Sequence, residues 1–374
     1  MDRSRLKVLY ISRGYTTHDH RFLTSFVRSG WAPIHLPLLD ERLDTRLLPE
    51  GSRTIHWTND MREPATQADW DERQQRLEEI IDTMRPDVVI AGPVQSGAYL
   101  AALAGARPLV TVSWGSDLLV DADSTAFASS VTRYTLDSSD ALFGDCRAVR
   151  EAAHRHSSIA DDRIVTIPWG IDLARFGPGE SSLSLRSELG WTDNRIFIST
   201  RSWEPPYAID VLIRAFALVH PRMPDARLLL LGDGSLDLEI HALVKELGLR
   251  EWVHAHGRAS YDQLPDYFRV ADVYVSAAIS DGTSISLLEA MACGLPAVVT
   301  DNPGNREWVE PGINGELARP GDAESLAAAM LAVVSPGADP MRMREVNIAA
   351  ARRRANWEAN FPEVATLVES LTAR

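Results

Sequence analysis

The short polar segment Asp281-Gly282-Thr283-Ser284 has residue types that could bind an anion. It comes directly before an apolar run, ending at Cys293, that is typical of a helix. The first N–H groups of a helix are free and its dipole is positive there. Such a start therefore attracts phosphate, and the two hydroxyl side chains would add donors. The alternative is an ordinary helix with Asp281 or Ser284 near its N-cap.

Glu289 lies inside that predicted helix, between Leu288 and Ala290. A carboxylate with apolar neighbours needs a partner, because burying an unpaired charge is costly. Sugar hydroxyls would satisfy it by donating hydrogen bonds. A structural ion pair within the protein would serve equally well, and the segment alone leaves both interpretations open.

A second polar group, His18, Asp19 and His20, follows Gly14 after the first predicted strand. Loops that follow parallel strands line ligand sites. These residues are therefore a hypothesis for contacts to a second substrate. A solvated loop, or a contact between Asp19 and Arg21, is the alternative. Adjacent residues rarely ligate one metal together, so no metal site is predicted.

These residues must be positioned by strands and helices that alternate along both halves of the chain. Short aliphatic or β-branched runs predict the strands Lys7–Ser12, Asp87–Ala91, Leu109–Ser113, Arg163–Ile167, Arg195–Thr200, Arg227–Leu231, Val253–His256, Val273–Val275 and Ala297–Thr300. Amphipathic runs predict the helices Arg21–Ser29, Asp69–Met84, Asp210–His220, Leu236–Leu247, Leu264–Phe268 and Ser286–Cys293. This alternation predicts an α/β protein with parallel sheets covered by helices on both faces.

The chain is long enough for two domains, since it has 374 residues and domains typically have about 100–200. The stretch Phe176–Ser182 contains Gly, Pro and Ser and predicts the linker between them. Two doubly wound domains facing each other would leave a cleft at the carboxyl ends of their strands, where ligands bind.

Composition excludes several classes of protein. Hydrophobic residues make up 45% and charged residues 24% of the chain, which excludes a disordered protein. A net charge of −14 argues against a protein that grips nucleic acid or an anionic membrane. The two cysteines, Cys146 and Cys293, have no metal-ligand spacing. The N-terminal apolar stretch is too short for a signal peptide, and no run reaches the ~18–20 apolar residues of a membrane span. We expect a soluble, cytoplasmic protein without stable membrane insertion.

Arginine supplies almost all of the positive charge. Of 38 basic residues, only Lys7 and Lys245 are lysines. Arginine binds phosphate with two parallel hydrogen bonds, which is one interpretation of this bias. Codon usage in a GC-rich genome is the simpler one, because the arginines are scattered.

Spaced motifs in the second half resemble those of one enzyme family, the retaining GT-B glycosyltransferases of family 4 (glycosyl transferases group 1). Asp281 and Glu289, with seven residues between them, resemble the E-x7-E region of that family. Five further segments resemble family motifs in the family's order: Pro168-Trp169-Gly170-Ile171-Asp172, Leu231-Gly232-Asp233-Gly234, His256-Gly257-Arg258, Pro311-Gly312-Ile313-Asn314-Gly315 and Pro320-Gly321-Asp322.

The resemblance implies a GT-B fold with two Rossmann-like, doubly wound domains facing across a cleft. Residues 1–176 would form the acceptor-binding domain, joined by a C-terminal helix at about 355–374 that crosses back to it. Residues 177–354 would form the domain that binds the nucleotide-sugar donor. A monomer or a homodimer is expected.

The resemblance also implies roles for individual residues. Glu289 would bind the donor ribose and Asp281 the transferred sugar. Arg201 and the N–H groups of residues 283–286 would hold the diphosphate. The donor set is Arg201, Gly232, Asp233, Arg258, Asp281, Gly282, Thr283, Ser284, Ile285, Ser286 and Glu289. The acceptor set is Gly14, His18, Asp19, His20, Trp114 and Asp117. The catalytic set is Asp281, Arg201 and Asp117.

Three positions depart from the family pattern. Where the family has a second diphosphate-binding cation, a lysine, this chain has Tyr207 nearby. A hydroxyl can hydrogen-bond phosphate but cannot neutralise it; Arg13 or the helix dipole would have to compensate. Trp114 stands where many members have a histidine, and its indole can pack against a sugar face. Trp169 replaces an asparagine of the junction motif and could simply pack at the hinge.

The expected activity is transfer of a hexose-type sugar from a UDP- or GDP-sugar to a small-molecule or saccharide acceptor, with retention and without a metal or other cofactor. The alternatives are a nucleotide-sugar-binding pseudo-enzyme, which the missing lysine and histidine favour, and a nucleotide-sugar epimerase of similar architecture. An NAD-dependent enzyme is disfavoured, because Gly232-Asp233-Gly234 is not followed by the third glycine of a dinucleotide fingerprint.

Overall fold

The structure, a computed structural model, describes residues 5–39, 41–42, 44, 46–56, 66–180 and 183–373. The chain divides into two compact units. Unit 1 comprises Met1–Ile167 and Phe361–Arg374, and unit 2 comprises Pro168–Asn360. The boundary thus lies before the predicted linker Phe176–Ser182, whose last two residues, Ser181 and Ser182, are outside the described part of the chain.

Unit 1 contains one parallel sheet of seven strands, in the order β3-β2-β1-β4-β5-β6-β7. The strands are β1 Lys7–Ser12, β2 Ala32–Pro37, β3 Arg53–Thr54, β4 Val88–Ala91, β5 Leu109–Val112, β6 Ala141–Gly144 and β7 Ile164–Thr166. The central strand β1 pairs with β2 and β4, so that Leu9 lies opposite both Ile34 and Val89. All three side chains are buried in the core, because a strand in the middle of a helix-covered sheet has no solvent face.

Before Ile167, the helices in the described part of unit 1 that connect and cover these strands are α1 Thr17–Arg28, α2 Gln67–Met84, α3 Tyr99–Leu103, α4 Ser116–Leu119, α5 Ala126–Asp137 and α6 Arg147–His156. Helix α1 begins earlier than the predicted Arg21. The reason is a capping box, in which Thr16 accepts from the N–H of Asp19 and Asp19 accepts from the N–H of Thr16.

Unit 2 contains a second parallel sheet, with six strands in the order β10-β9-β8-β11-β12-β13. The strands are β8 Arg195–Ser199, β9 Ala226–Leu231, β10 Val253–Gly257, β11 Val273–Ser276, β12 Ala297–Thr300 and β13 Gly315–Ala318. The helices are α7 Leu183–Glu188, α8 Ile209–Val219, α9 Asp237–Glu246, α10 Leu264–Val270, α11 Ile285–Cys293, α12 Pro303–Arg306, α13 Ala323–Ala332 and α14 Pro340–Arg354. Apolar side chains fill both faces of the sheet, for example Leu228 on one and Leu229 on the other.

The last helix, α15 Trp357–Thr372, begins in unit 2 and belongs to unit 1 from Phe361 onward. The ring of Phe361 lies 6.0 Å from Phe26 and 6.1 Å from Trp31, both in unit 1. Among the described residues, no helix combines the length and apolar composition needed to cross a membrane.

The predicted α/β class with parallel sheets is confirmed, and four strands were missed. Strand β2 contains Pro33 and Pro37, which cannot donate to a ladder and therefore hide a strand from pattern analysis. Strand β3 has only two residues. Strands β6 and β13 have four residues each, with a glycine at one end.

Candidate active site

The centre of the unit 2 sheet is where the strand order reverses direction. Strands β8 and β11 are neighbours, with Phe197 opposite Val273 and Ile198 opposite Tyr274. The chain leaves β8 toward β9 and leaves β11 toward β12, on opposite sides. The loops after these two strands therefore open a crevice at their carboxyl ends, the usual ligand position of an open α/β sheet.

Arg201 and Asp281 come from those two loops and form an ion pair. Nη2 of Arg201 lies 2.8 Å from Oδ2 of Asp281. Nη1 of Arg201 donates to the Ser284 hydroxyl at 2.7 Å and to the Ser286 hydroxyl at 3.3 Å. The structure thus gathers three predicted donor residues around the guanidinium of a fourth, Arg201, although more than eighty positions separate Arg201 from Ser284.

Two tyrosines complete this cluster. The guanidinium carbon of Arg201 lies 4.1 Å from the ring centroid of Tyr207, a cation–π contact. The buried hydroxyl of Tyr274 lies 2.7 Å from that of Ser286, which in turn contacts Arg201. Tyr274 was not predicted, since its position in a buried strand resembles that of any core aromatic.

Burial shapes the charges in the cluster. The Arg201 side chain is only 10% exposed and that of Asp281 19%. Burial opposes the charge of Arg201, but Asp281 and the nearby tyrosines raise the pKa of the guanidinium above its ordinary value. Burial likewise raises the pKa of Asp281, against the stabilising effect of Arg201. Because the guanidinium stays charged, the cluster places a fixed cation, paired with Asp281, beside the start of α11, and such a cation can bind a negative ligand.

Glycines allow the loops to approach closely. A Cβ on Gly232 would lie 2.4 Å from the carbonyl oxygen of Arg201, and one on Gly304 would lie 2.0 Å from that of Gly282. The turn that carries Gly304 is fixed by Asn302, which caps α12, and by Asn305, which donates to the carbonyl oxygen of Thr300 at 2.8 Å. Gly232, a predicted donor residue, thereby leaves room for the backbone of Arg201.

Helix α11 begins where the anion site was predicted. Its N-cap is Ser284, and its first intrahelical hydrogen bond in this turn runs from the N–H of Leu288 to the carbonyl oxygen of Ser284. The preceding N–H groups, those of residues 285–287, have no carbonyl four residues back within the helix. Thr283 and Ser284 are buried, as is Glu289, which is 5% exposed.

Asp233 and Arg258, also predicted to bind the donor, form an ion pair after β9 and β10. Nη2 of Arg258 lies 2.7 Å from Oδ1 of Asp233. Both side chains are about half exposed, so the pair contributes little to stability and its groups are accessible to a ligand.

In unit 1, the strand order reverses between β1 and β4, and predicted acceptor residues gather there. The rings of His18 and Trp114 lie 5.1 Å apart. Both side chains are partly exposed. An indole and an imidazole at the end of central strands offer a flat surface and a hydrogen-bonding group.

Two predicted carboxylates of unit 1 are already occupied by structural hydrogen bonds. Asp117 is buried and accepts from the Ser113 hydroxyl and from the N–H groups of Val94, Trp114 and Leu118. Asp19 is buried as well.

The carboxylate of Asp19 accepts from the hydroxyls of Tyr10 and Thr16 and from the N–H of Thr16. These bonds use the oxygens of Asp19 and Asp117 to position the loops around His18 and Trp114. The direct contacts predicted for the two carboxylates stay a prediction.

A cavity of about 220 Å³ lies at the carboxyl ends of β1 and β2. It is lined by Tyr15, His35, Pro37, Leu39, Glu41, Arg42, Leu48, Thr54 and His56. Predicted residue His20 contacts its wall, since Nδ1 lies 2.7 Å from the Tyr15 hydroxyl. Burial lowers the pKa of His20 and raises that of Tyr15 to about 12.

Gly14, also predicted, lets the strand end approach this wall, because a Cβ there would lie 2.5 Å from the carbonyl oxygen of Glu41. Most of the lining residues come from β2 and the loop beyond it, where the sequence shows no periodicity. Within the described part of the chain, no group of three or more His, Cys, Asp or Glu side chains is arranged to hold a metal ion.

Two family models match the chain. The model "Glycosyl transferases group 1" matches residues 183–353, and the model "Glycosyltransferase Family 4" matches residues 40–175. Together they cover most of both units. These matches support a glycosyltransferase.

Relatives with assigned activities agree with this. The chain is 26% identical, over 72% of its length and 71% of the relative, to a GDP-mannose-dependent alpha-(1-6)-phosphatidylinositol monomannoside mannosyltransferase of Mycolicibacterium smegmatis. It is 27% identical, over 54% and 50%, to a D-inositol 3-phosphate glycosyltransferase of Thermobispora bispora. The chain spans about half of the length of most of the curated relatives it matches.

Solved structures show the same fold. Anabaena Alr3699/HepE in complex with UDP-glucose superposes with a TM-score of 0.81 at 21% identity, over 97% of this chain and 99% of that one. Sucrose-phosphate synthase from Thermosynechococcus elongatus gives 0.83 at 18% identity, over 99% and 100%. Two Rossmann-like units with parallel sheets, matching these structures, make the fold GT-B.

Proposed function

We propose, for a chain whose two units match two glycosyltransferase family models, that it is a retaining glycosyltransferase. It would move a hexose-type sugar from a UDP- or GDP-sugar to a small-molecule or saccharide acceptor. The observation that carries the proposal is the partly buried cluster of Arg201, Ser284 and Ser286 at the start of α11. A fixed cation, hydroxyls and helix N–H groups together fit a diphosphate.

In this proposal, different residues in and around the cluster bind different parts of the donor. Arg201 and the first N–H groups of α11 hold the diphosphate. Asp281 binds hydroxyls of the sugar, and Glu289, on the same helix, binds the ribose. Asp233 and Arg258 lie at the edge that takes the base.

The chemical step requires stabilisation of the leaving group. Negative charge builds on the diphosphate as the glycosidic bond breaks, and Arg201 with the helix N–H groups compensates it without reorganising. The acceptor attacks from the face that the phosphate leaves, and the phosphate takes its proton, which gives retention. No metal or other cofactor enters this scheme.

Unit 1 supplies the acceptor contacts. The exposed faces of His18 and Trp114 suit a sugar or another flat polar molecule, and the cavity beside Tyr15 and His20 offers a second, more apolar subsite. Relatives differ in donor, since the mannosyltransferase uses GDP-mannose and HepE was solved with UDP-glucose. Both nucleotides therefore belong in a test. The cytoplasm is the proposed location.

The test is a donor panel with the purified protein. UDP- and GDP-sugars are incubated with and without a set of saccharide and small-molecule acceptors, and nucleoside diphosphate release is measured. A transferase releases it in an acceptor-dependent manner. Conversion of the donor's sugar without an acceptor would indicate an epimerase. Binding without release under all conditions would indicate a pseudo-enzyme, and either result contradicts the proposal.

A further inference from the structure

The three nitrogens of the Arg201 guanidinium differ in their hydrogen-bond partners. Nη1 is occupied by the hydroxyls of Ser284 and Ser286, and Nη2 faces the carboxylate of Asp281. Nε is buried and has no hydrogen-bond partner among the residues that the structure describes. One of the three nitrogens in this nearly buried group is therefore a donor without an acceptor, which is rare in a native structure.

The carboxylate of Asp281 also has an atom whose hydrogen-bonding capacity is not fully used. Its Oδ2 is buried and makes no hydrogen bond within the described part of the chain; what it has is the ion pair to Nη2. Arg201, the Ser284 side chain and the backbone of Gly282 favour the charged form of the carboxylate against the effect of its burial. The cluster thus holds a buried donor without an acceptor, Nε of Arg201, beside a buried carboxylate oxygen whose contact is the ion pair to Nη2. A ligand can offer partners to both atoms.

The geometry of the arginine side chain determines which ligand can bind Nε of Arg201 and Oδ2 of Asp281. Nε and Nη2 form the side of the guanidinium that takes two oxygens of one phosphate. Asp281 covers the Nη2 half of that side, so a phosphate cannot take both nitrogens while the ion pair persists. A carboxylate released from Nη2 needs new donors, because it stays largely buried.

We infer that Arg201 and Asp281 exchange partners when the donor binds: the diphosphate takes Nε and Nη2 of Arg201, and Oδ2 of Asp281 accepts hydrogen bonds from sugar hydroxyls. The inference rests on the proposed function and adds a selection rule to it. Asp281 disfavours any ligand that has the diphosphate but no sugar.

The rule separates substrate from product. A nucleoside diphosphate would displace Asp281 without offering hydroxyls, and it would leave a buried carboxylate beside an additional negative charge. An intact nucleotide sugar offers an acceptor to Nε of Arg201 and donors to Oδ2 of Asp281. The exchange therefore weakens binding of the spent nucleoside diphosphate and favours its release after transfer.

The test compares two ligands on two proteins by titration calorimetry. In Asp281→Asn, the competing anion is removed and shape is nearly preserved. We expect UDP or GDP to bind about tenfold more tightly to this variant than to the parent protein, while the matching nucleotide sugar binds with unchanged or lower affinity. An equal loss of affinity for both ligands, or an unchanged affinity for the nucleoside diphosphate, overturns the inference but leaves the proposed function standing.

Asp301→Asn is the matched control, since Asp301 pairs with Arg306 outside the cluster and should change neither affinity. If Asp281→Asn does not fold, the parent protein decides: the nucleotide sugar must bind at least about fivefold more tightly than the nucleoside diphosphate, and the reverse order contradicts the exchange. If neither protein binds any nucleoside diphosphate or nucleotide sugar, the proposed function fails and the inference fails with it.

Discussion

At the scale of single residues, the described cluster around Asp281 holds one cation, Arg201, where the family that the chain resembles has two. Tyr207 lies against Arg201 in the loop where the resembling family has a lysine, and it contributes a ring face rather than a charge. The aromatic contact and the bonds to Ser284 and Ser286 hold the guanidinium in one orientation. Such preorganisation is valuable in a site that stabilises a developing charge.

Replacing Tyr207 by lysine should therefore strengthen diphosphate binding. We expect Tyr207→Lys to bind UDP or GDP about fivefold more tightly, with a steeper loss of affinity as salt is raised, because a second cation faces the same anion. Titration calorimetry at two ionic strengths measures both effects. Tyr207→Phe keeps the ring over Arg201 and should behave like the parent; an equal gain in this control would refute the charge argument.

At the scale of elements, two kinds of loop anchoring support the candidate residues. In unit 2, the turn around Gly304 packs directly on the segment Asp281–Gly282. In unit 1, the carboxylate of Asp117 joins the loop after β5 to the segment that follows β4. Neither Gly304 nor Asp117 needs to contact a substrate to affect how the site binds it.

Gly304→Ala should disturb the donor site through its backbone. The added methyl group would meet the carbonyl oxygen of Gly282 at 2.0 Å, so the loop that carries Asp281 must move. We expect a stability loss of roughly 1–3 kcal/mol and about tenfold lower kcat/KM for the donor. Gly337→Ala is the control and should change neither quantity, because its added methyl group would meet no atom within 4 Å beyond the neighbouring residues of the chain. Donor kinetics equal to those of the parent would contradict this role.

Asp117→Ala should act mainly on stability. Three backbone N–H groups and the Ser113 hydroxyl lose their acceptor in a buried position. We expect the free energy of unfolding to fall by about 3 kcal/mol, as measured by denaturant titration, with an unchanged affinity for nucleoside diphosphate. Asp82→Ala, on the exposed side of α2, is the control.

An undiminished stability together with lost transfer activity would instead make Asp117 a direct participant in catalysis. The predicted assignment of Asp117 to the catalytic set and the structural role argued from its four hydrogen bonds thus give opposite outcomes in one experiment.

At the scale of the whole molecule, the pattern of apolar residues in the sequence was sufficient to predict the α/β class, because strands such as β1 and β12 are short apolar runs between clear breaks. The same pattern was not sufficient to predict strand β2, where two prolines interrupt it. The cavity beside Tyr15 was missed for the same reason, since most of its lining residues lie in and after β2.

The candidate donor site was predictable in part. Arg201 and Asp281 each follow a recognisable strand, and parallel strands end at the same edge of a sheet. Their mutual ion pair and the role of Tyr274 were not predictable, because they depend on which strands are neighbours. The order of strands is a tertiary property that one sequence pattern does not encode.

The most direct test of the account is the binding of UDP and GDP to the parent protein and to Arg201→Ala, measured by titration calorimetry. The account predicts that one of the two nucleotides binds the parent and that the variant loses at least about a hundredfold in affinity, while Arg306→Ala, which removes an exposed arginine of the same unit, binds as the parent does. Unchanged affinity in Arg201→Ala would contradict the assignment of this cluster to the diphosphate.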